Sequence, residues 1–293
     1  METLRSCPIC GSEKSKPYLS CKDYTVSRET FSITQCGDCG FRFTNPRPKA
    51  SDLGRYYMSE DYISHSNSSK GLVNKLYKGV RNLTLKRKLK IINARVTKGY
   101  LLDIGCGTGE FLSVCQKDNW ECLGVEPSLQ ARKYAIDNYG LKVVEEDKLK
   151  ELPPASFDVI TLWHVLEHVP LLNERMQEIK DLLKPKGIII IAVPNCHSLD
   201  AEVYKEYWAA YDVPRHLYHF TAADIVKLAT KHGLDLKVTL PMPFDSFYVS
   251  MLSEKYMNGK SNMLHAAWIG FKSNLSASNE SRGFSSQIYI LSK

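Results

Sequence analysis

The sequence predicts an α/β protein in which a small cysteine-rich module precedes a doubly wound, seven-stranded, mostly parallel sheet. From residue 100 onward, short apolar runs alternate with amphipathic segments of helical period, the pattern of strands joined by crossover helices. One of these runs, 188–193, contains no polar residue, as expected for a strand that is covered on both faces. Before residue 46 the chain instead carries two Cys-x-x-Cys pairs and no long helical pattern.

The composition fits a globular protein and excludes several other classes. The 293 residues are 43% apolar and 24% charged, which argues against disorder, collagen and coiled coils. No apolar run approaches the roughly 20 residues that span a bilayer, and the start of the chain does not resemble a signal peptide. Nine cysteines, an odd number, also argue against a disulfide framework. We therefore expect a cytoplasmic protein.

The positive charge is concentrated in one segment. The net charge is +7, but residues 62–102 contain ten Lys or Arg and no acid, so the remainder sums to 7 − 10 = −3. Such a segment can dock RNA, anionic lipid or a phosphorylated acceptor. It is also compatible with the solvated face of a helix, and residues 72–96 have the apolar spacing of one helix.

The predicted domains are a zinc ribbon at 1–45, a linker with the basic helix at 46–99, and the α/β domain at 100–293. One short helix is expected in the linker at 52–58. The predicted strands of the α/β domain are 100–104, 122–126, 141–144, 158–163, 188–193, 236–240 and 286–291. Its predicted helices are 110–119, 128–138, 171–183 and 222–232.

The densest motif follows the first strand of the α/β domain. Three glycines there let the backbone turn tightly and approach a ligand closely: Gly105, Gly107 and Gly109. A dinucleotide fold would need a further glycine where this chain has Glu110, which would repel a pyrophosphate. Asp103 before the turn suits a cationic ligand group instead. Glu126 ends the next strand, where an acid can accept hydrogen bonds from ribose hydroxyls.

This turn resembles motif I of the class I S-adenosylmethionine (SAM)-dependent methyltransferases, whose ligand carries an ammonium and a sulfonium. The resemblance extends from residue 100 to the end of the chain, through the segment 157–169 and the Lys184-Pro-Lys-Gly sequence before the fifth strand. It implies a Rossmann-like methyltransferase fold, SAM as cofactor, and transfer of a methyl group from a sulfonium to a nucleophile. The SAM-binding residues that it implies are Asp103, Gly105, Cys106, Gly107, Glu126, Asp147 and His164.

Histidines near the fourth strand offer a second candidate site. His164 ends that strand at the sheet rim, where it could contact SAM or the acceptor or only stabilise the loop. The i, i+3, i+4 spacing of His164, Glu167 and His168 is similar to the Glu-x-x-Glu-His of ubiquinone-pathway O-methyltransferases and small-RNA 2′-O-methyltransferases. Those groups hold a divalent cation there. In this chain His replaces the first Glu, and the sequence identifies no further ligand.

The segment 194–220 is expected to be a long loop that leaves the carboxyl edge of the sheet and can fold over an acceptor pocket. Arg215 and His216 are its candidates for acceptor contact or general base. Alternatively, Asp212, His216 and His219 only pin the loop to the helix that follows it.

The two cysteine pairs predict a structural zinc ion. They are separated by 25 residues and each is followed by glycine, which places four thiolates around one metal: Cys7, Cys10, Cys36 and Cys39. A redox role is the alternative, but no βαβ unit surrounds either pair. The other cysteines are a spare thiol and four small apolar fillers: Cys21, and then Cys106, Cys115, Cys122 and Cys196.

Together these features predict a SAM-dependent methyltransferase that acts on a small or medium-sized acceptor, such as a sugar, lipid or metabolite hydroxyl. His164 and His216 are the candidate catalytic residues, and a small-molecule or glycolipid-type acceptor is the expected partner. One alternative is an RNA methyltransferase that binds RNA through the ribbon and the basic helix. Another is a SAM-binding regulator without catalysis.

Overall fold

The structure is a computed structural model that describes residues 1–57, 72–279 and 282–293. Its strands are β1 (Ser15–Lys22), β2 (Thr30–Cys36), β3 (Arg42–Thr44), β4 (Tyr100–Ile104), β5 (Glu121–Val125), β6 (Val143–Val144), β7 (Phe157–Trp163), β8 (Leu183–Pro194), β9 (Tyr218–His219), β10 (Asp235–Pro241) and β11 (Ser286–Ser292). Its α-helices are α1 (Leu72–Asn93), α2 (Glu110–Lys117), α3 (Leu129–Tyr139), α4 (Leu172–Leu182), α5 (Leu199–Tyr204), α6 (Ala222–Lys231), α7 (Asp245–Asn258) and α8 (Met263–Asn279). Over these ranges, no helix is long and apolar enough to cross a bilayer.

Seven strands form the central sheet, in the order β10-β11-β8-β7-β4-β5-β6. The five from β6 to β8 are parallel, whereas β11 is antiparallel to both β8 and β10. The predicted doubly wound, mostly parallel sheet is therefore confirmed. Because β4 pairs with β5 on one side and with β7 on the other, the carboxyl end of β4 is a switch point, where open α/β sheets bind ligands.

Strand β8 crosses the middle of the sheet and begins earlier than expected. Ile189, Ile190 and Ile191 are fully buried, as the absence of polar residues predicts. The strand starts at Leu183 instead of residue 188, because Leu183 pairs with Phe157 and the register then shifts before Ile188. The Lys-Pro-Lys-Gly stretch, residues 184–187, therefore lies within the irregular first part of β8, after the helix has ended at Leu182.

Several elements differ from the sequence prediction. The expected loop 194–220 contains helix α5 and strand β9, and the short linker helix is a 3-10 helix, Ala50–Tyr57; residue 58 of the predicted 52–58 lies outside the described residues. Helices α7 and α8 were not predicted. On α7 the residues at helical spacing that face inward are serines, Ser246, Ser250 and Ser253, so no apolar stripe marks the helix.

A second, four-stranded sheet has the order β1-β2-β3-β9. Its first three strands belong to the cysteine-rich module, whereas β9 comes from the segment that follows β8. Phe41 lies between the two parts, with its ring centre 6.0 Å from that of Tyr218 and 5.5 Å from that of Phe220. The sheet therefore contains strands from both sides of the predicted boundary at residue 45.

Candidate active site

The glycine turn after β4 is held against the end of β5. Gly107 N–H donates to Glu126 Oε2 at 2.9 Å, and Ser128 N–H donates to Glu126 Oε1 at 2.9 Å. Gly105 has a φ of 70° and leaves no room for a side chain, because a Cβ there would lie 2.5 Å from Val165 Cγ2. Val165 follows β7, so the turns after β4 and β7 are in contact.

Packing behind the turn depends on small residues. A Cβ at Gly109 would lie 2.6 Å from Leu141 Cδ1 and 2.8 Å from Ala135 Cβ. A Cβ at Gly124 would lie 2.6 Å from Cys106 Sγ. The buried Cys106 thiol thus packs onto β5, as expected of a small apolar filler.

Asp103 lies at the floor of the turn and is 3% exposed. Thr161 Oγ1 donates to Asp103 Oδ1 at 2.6 Å, but burial dominates and raises the pKa of Asp103 to about 7. The positive charge of Lys88 in α1 acts on Asp103 and lowers its pKa, against the effect of burial. Lys88 Nζ lies 4.2 Å from the centre of the Trp163 ring, and burial lowers the pKa of Lys88 to about 8.

Asp147 is exposed in the 3-10 helix that follows β6, at the same edge of the sheet. The two acids before it are paired with arginines. Glu145 Oε2 lies 3.6 Å from Arg132, and Glu146 Oε1 lies 2.5 Å from Arg175. Among these three acids, Asp147 is therefore the one to which the structure gives no ion pair.

His164 ends β7 in a strained backbone conformation, with a φ of 57°. Its N–H donates to the Ala192 carbonyl at 2.9 Å, which fixes the turn onto β8. The ring lies between two carboxylates, with Nδ1 3.3 Å from Glu167 Oε1 and Nε2 3.2 Å from Asp245 Oδ2. Burial lowers the pKa of His164, but these two carboxylates outweigh it and raise the pKa to about 9. Asp245 begins α7, a helix that the sequence did not reveal.

Three groups that could ligate a metal meet next to His164. Donor atoms of Glu167, His168 and His216 lie within 4.8 Å of one another. Nδ1 of His168 is 3.1 Å from the Arg215 carbonyl oxygen, and Nδ1 of His216 is 2.8 Å from the Ala210 carbonyl oxygen. The Tyr57 hydroxyl also lies 2.9 Å from His168 Nδ1. A carbonyl accepts only from a protonated Nδ1, and in a neutral ring of this tautomer Nε2 carries the lone pair. Glu167 Oε2 is buried and has no hydrogen-bond partner.

The pKa values of His168 and Glu167 are shifted in directions that suit metal ligands. Burial and the nearby His216 ring lower the pKa of His168 to about 4, so its ring is neutral near pH 7. Burial raises the pKa of Glu167, but the hydrogen bond with His164 and the electrostatic effects of His164, His168 and His216 together outweigh burial and hold that pKa below its usual value. The neutral His168 ring and the Glu167 carboxylate therefore face the His216 ring. His216, which lies about 50 residues away in the sequence, is the member of this cluster that the spacing could not identify.

Arg215 is not available to an acceptor, contrary to the sequence interpretation. It is fully buried, and its guanidinium lies 2.9 Å from Asp23 Oδ1 and 2.6 Å from Asp212 Oδ1. It also donates to the Tyr56 carbonyl at 2.9 Å. Because Asp23 and Tyr56 precede the α/β domain, Arg215 fastens the segment after β8 to the N-terminal part of the chain.

The same segment is held at a second point by the cysteine-rich module. Thr44 Oγ1 donates to the His216 carbonyl at 2.7 Å and lies 3.1 Å from His219 Nε2. His216 and His219 thus hold the segment to the module, where β9 pairs with β3, instead of to the following helix. Asp212 contacts Arg215 of the same segment.

The four cysteines of the module converge. Cys7 Sγ lies 3.6 Å from Cys39 Sγ, and Cys10 Sγ lies 3.5 Å from Cys36 Sγ. All four sulfurs lie within 4.8 Å of one another. Tetrahedral zinc–thiolate sites, with bonds of about 2.3 Å, separate their sulfurs by about 3.8 Å, so this donor set fits one zinc ion.

Residues 78–238, more than half of the chain, match the methyltransferase domain family. The chain belongs to this family. The predicted SAM-dependent methyltransferase class is thus confirmed at the level of family and fold.

Named relatives of this methyltransferase are ubiquinone biosynthesis O-methyltransferases. The protein from Nitrosococcus oceani is 29% identical over 55% of this chain and 71% of its own length. The protein from Haemophilus ducreyi is 32% identical over 32% of this chain, and the match spans only 45% of its length.

Solved structures share the fold at low identity. A SAM-dependent methyltransferase from Archaeoglobus fulgidus superposes with a TM-score of 0.52 at 22% identity, over 76% of this chain and 98% of that one. Phosphoethanolamine N-methyltransferase 2 from Haemonchus contortus, in complex with SAM, gives a TM-score of 0.50 at 20% identity, over 73% of this chain and 52% of that one.

Proposed function

We propose that this methyltransferase transfers the methyl group of SAM to a hydroxyl oxygen of a small or medium-sized acceptor. The observation that carries the proposal is the contact between two turns. The glycine turn after β4 touches Val165, and Val165 leads directly into the Glu167–His168–His216 cluster. A donor site and a site for an acceptor oxygen would therefore adjoin at the switch point of the sheet. The relatives named O-methyltransferases support an oxygen acceptor.

In this proposal the turn after β4 holds SAM. Each carboxylate oxygen of Glu126 already accepts one backbone N–H, which fixes the side chain and leaves lone pairs for the ribose hydroxyls. Asp103 would accept from the ammonium group of SAM, since a cation beside it favours the ionised form of a buried acid. The backbone of Gly105, Cys106 and Gly107 would contact the ligand, and Asp147 would meet the adenine.

The neighbouring cluster would position the acceptor. Glu167, His168 and His216 offer one carboxylate oxygen and two imidazole nitrogens, a donor set that suits a divalent cation. When bound, such an ion would lower the pKa of a coordinated hydroxyl. The carbonyl groups of Arg215 and Ala210 fix the two rings, as outer-shell partners of metal-ligating histidines commonly do. His164 would orient Glu167 and close the pocket against Asp245.

The cysteine-rich module would be a structural part of the enzyme. We propose one zinc ion at Cys7, Cys10, Cys36 and Cys39, with residues 1–45 as the module, 46–99 as the linker and 100–293 as the catalytic domain. Zinc would stabilise the sheet that holds β9 and, through β9, the position of His216. The role of the module in this proposal is to support the acceptor site.

The test uses SAM with a labelled methyl group and a cell extract separated into small-molecule, lipid, glycan and RNA pools. Wild-type protein is expected to label the small-molecule or lipid pool, and the label should resist mild base, since ethers survive where esters hydrolyse. Glu126→Ala, which removes the ribose contact, should abolish labelling. Label in the RNA pool would overturn the acceptor class. No label in any pool, with SAM binding shown by calorimetry, would favour a non-catalytic regulator.

A further inference from the structure

Helix α8 carries a stripe of apolar side chains on its outer face. The stripe consists of residues spaced i, i+4, i+7 and i+11 that are 86%, 53%, 52% and 52% exposed: Leu264, Trp268, Phe271 and Leu275. Scattered exposed apolar residues are ordinary, but a continuous stripe of large ones marks a surface that meets a partner.

The stripe belongs to a hairpin formed by α7 and α8, in which small and polar residues lie between the two helices and large apolar side chains are exposed. Gly270 of α8 lies against Phe247 of α7, since a Cβ at Gly270 would be 2.8 Å from the Phe247 ring and 3.0 Å from its Cα. The hydroxyl of Ser246 lies in this contact, 3.1 Å from the Gly270 carbonyl oxygen. Buried serines of α7 line the inside of the hairpin together with Ala266 and Ile269 of α8, whereas other large apolar side chains face outward. On α7, Tyr248 is exposed, and Phe247 covers Gly270 and is partly exposed.

The charge around the stripe has one sign. Residues 255–279 contain three lysines and no Asp or Glu: Lys255, Lys260 and Lys272. Lys272 Nζ lies 5.1 Å from the centre of the Trp268 ring, so a cation borders the apolar surface directly. Exposed aromatic and aliphatic residues flanked by lysines, without acids, are typical of helices that lie in the plane of an anionic membrane.

The basic helix α1 borders the start of the hairpin. A groove lies between α1 and the start of α7, and Arg87, Lys88 and Phe244 are among its lining residues. Lys86 and Lys90 are exposed on the same helix. Positive charges of α1 therefore lie beside the first turn of α7.

We propose that the α7–α8 hairpin docks this protein onto an anionic lipid bilayer. Leu264, Trp268, Phe271 and Leu275 enter the interfacial region, while the lysines of the hairpin and of α1 contact lipid phosphates. The charges of residues 255–279 are all positive, and both acids of α7 are engaged: Asp245 contacts His164, and the buried Glu254 contacts Tyr204 and His265. This arrangement favours an anionic lipid surface over a protein surface, where rim charges of both signs are usual. The surface continues to the candidate site, since Asp245 at the start of α7 contacts His164. The docking itself does not depend on methyl transfer and goes beyond the proposed function.

The test measures co-sedimentation of the full chain with vesicles of phosphatidylcholine alone and of phosphatidylcholine mixed with phosphatidylglycerol. We expect binding to the mixed vesicles that weakens as salt is raised. The double variant Trp268→Ser/Phe271→Ser should lose on the order of tenfold in vesicle affinity, since affinity follows buried apolar area. Trp268→Phe should retain most of it. Leu129→Ser and Leu171→Ser are matched controls, because both leucines are exposed elsewhere and should bind as wild type does.

Circular dichroism shows whether the Trp268→Ser/Phe271→Ser variant is folded. If it is unfolded, a second variant tests the proposal. Lys260→Glu/Lys272→Glu leaves the apolar side chains in place and should abolish the preference for anionic vesicles. Equal binding to neutral and mixed vesicles, or equal losses in the Leu129 control, would overturn the proposal. So would a dimer that the double variant dissociates, without vesicle binding, since the stripe would then face a second copy. SAM affinity measured on the same samples reports separately on the proposed function.

Discussion

The two halves of the candidate site are assembled in different ways. Most of the donor half comes from one stretch of chain, Asp103 to Glu126, in which a strand, a turn and the next strand are joined by local contacts. Thr161 and Val165, from β7 and the turn after it, add contacts to Asp103 and Gly105. The acceptor half draws on distant segments: Glu167 and His168 after β7, His216 after β8, and Asp245 at the start of α7. SAM binding by the donor half should therefore tolerate changes elsewhere in the chain. The geometry of the acceptor half should instead depend on the N-terminal module.

The largest expected effect lies in the donor half. Gly105→Ala combines a φ of 70° with a clash against Val165, so SAM affinity should fall about 100-fold, a loss of about 2.7 kcal/mol. Gly140→Ala is the matched control, because Gly140 has a φ of 63° but no neighbour within 4 Å of a Cβ. It should cost roughly 1 kcal/mol of stability and leave SAM affinity unchanged. Calorimetric titration with SAM distinguishes the two, and equal affinity losses would contradict the close-approach argument.

The next effect tests the dependence of the acceptor half on the module. Cys36→Ser should release about one zinc per chain and loosen β3 and β9, which moves His216. Methyl transfer should then fall about tenfold while SAM affinity stays within about twofold. Metal analysis, calorimetry and label incorporation on one sample measure all three. Cys21→Ser is the control, since Cys21 lies outside the four-cysteine cluster. A parallel loss of SAM affinity would show that the halves are not separate.

The smallest effect concerns the cost of burying Asp103. Its pKa of about 7 in the folded protein exceeds the roughly 3.9 of an unfolded chain, so the folded state binds the extra proton between these values. Stability without SAM therefore falls as pH rises from about 4 to 7. Asp103→Asn should be more stable than wild type at pH 8, by about 1–3 kcal/mol, with the difference vanishing near pH 4.

Urea unfolding at the two pH values measures this difference, and the exposed Asp137→Asn serves as the control. The same Asp103→Asn variant should bind SAM about tenfold more weakly, because it loses a charge-assisted hydrogen bond. A variant that is less stable than wild type at pH 8 would contradict the burial cost. If Asp103→Asn is more stable than wild type at pH 8 and also binds SAM more weakly, then Asp103 serves ligand binding at a cost in stability.

The same contrast explains what the sequence could predict. The sequence predicted the positions of strand β4, the glycine turn and Glu126. The apolar run of the strand and the glycines of the turn are signals that neighbouring residues carry by themselves. The convergence of Cys7, Cys10, Cys36 and Cys39 was equally readable from the spacing. His216 was singled out for a different role, because no local signal reveals that β9 pairs with β3 and brings the ring to His168.

Two further features were hidden for physical reasons. The helix that carries Asp245 has serines on its inner face and aromatic residues on its outer face, the reverse of the usual amphipathic pattern. Arg215 lies in a segment that was expected to be a long loop over the acceptor pocket, yet it is buried between Asp23 and Asp212 and holds this segment to the N-terminal part of the chain. Such tertiary contacts decide the role of a charged residue more than its position in the sequence does.

The most direct test of the divided site compares wild type with Glu167→Gln in two measurements on the same samples. Glutamine keeps the shape of the side chain but removes the charge of the carboxylate that faces His168 and His216. SAM affinity should stay within about twofold, while label transfer into the acceptor pool should fall about 100-fold. Equal transfer by both proteins, or loss of SAM affinity in step with transfer, would contradict an acceptor site separate from the donor site.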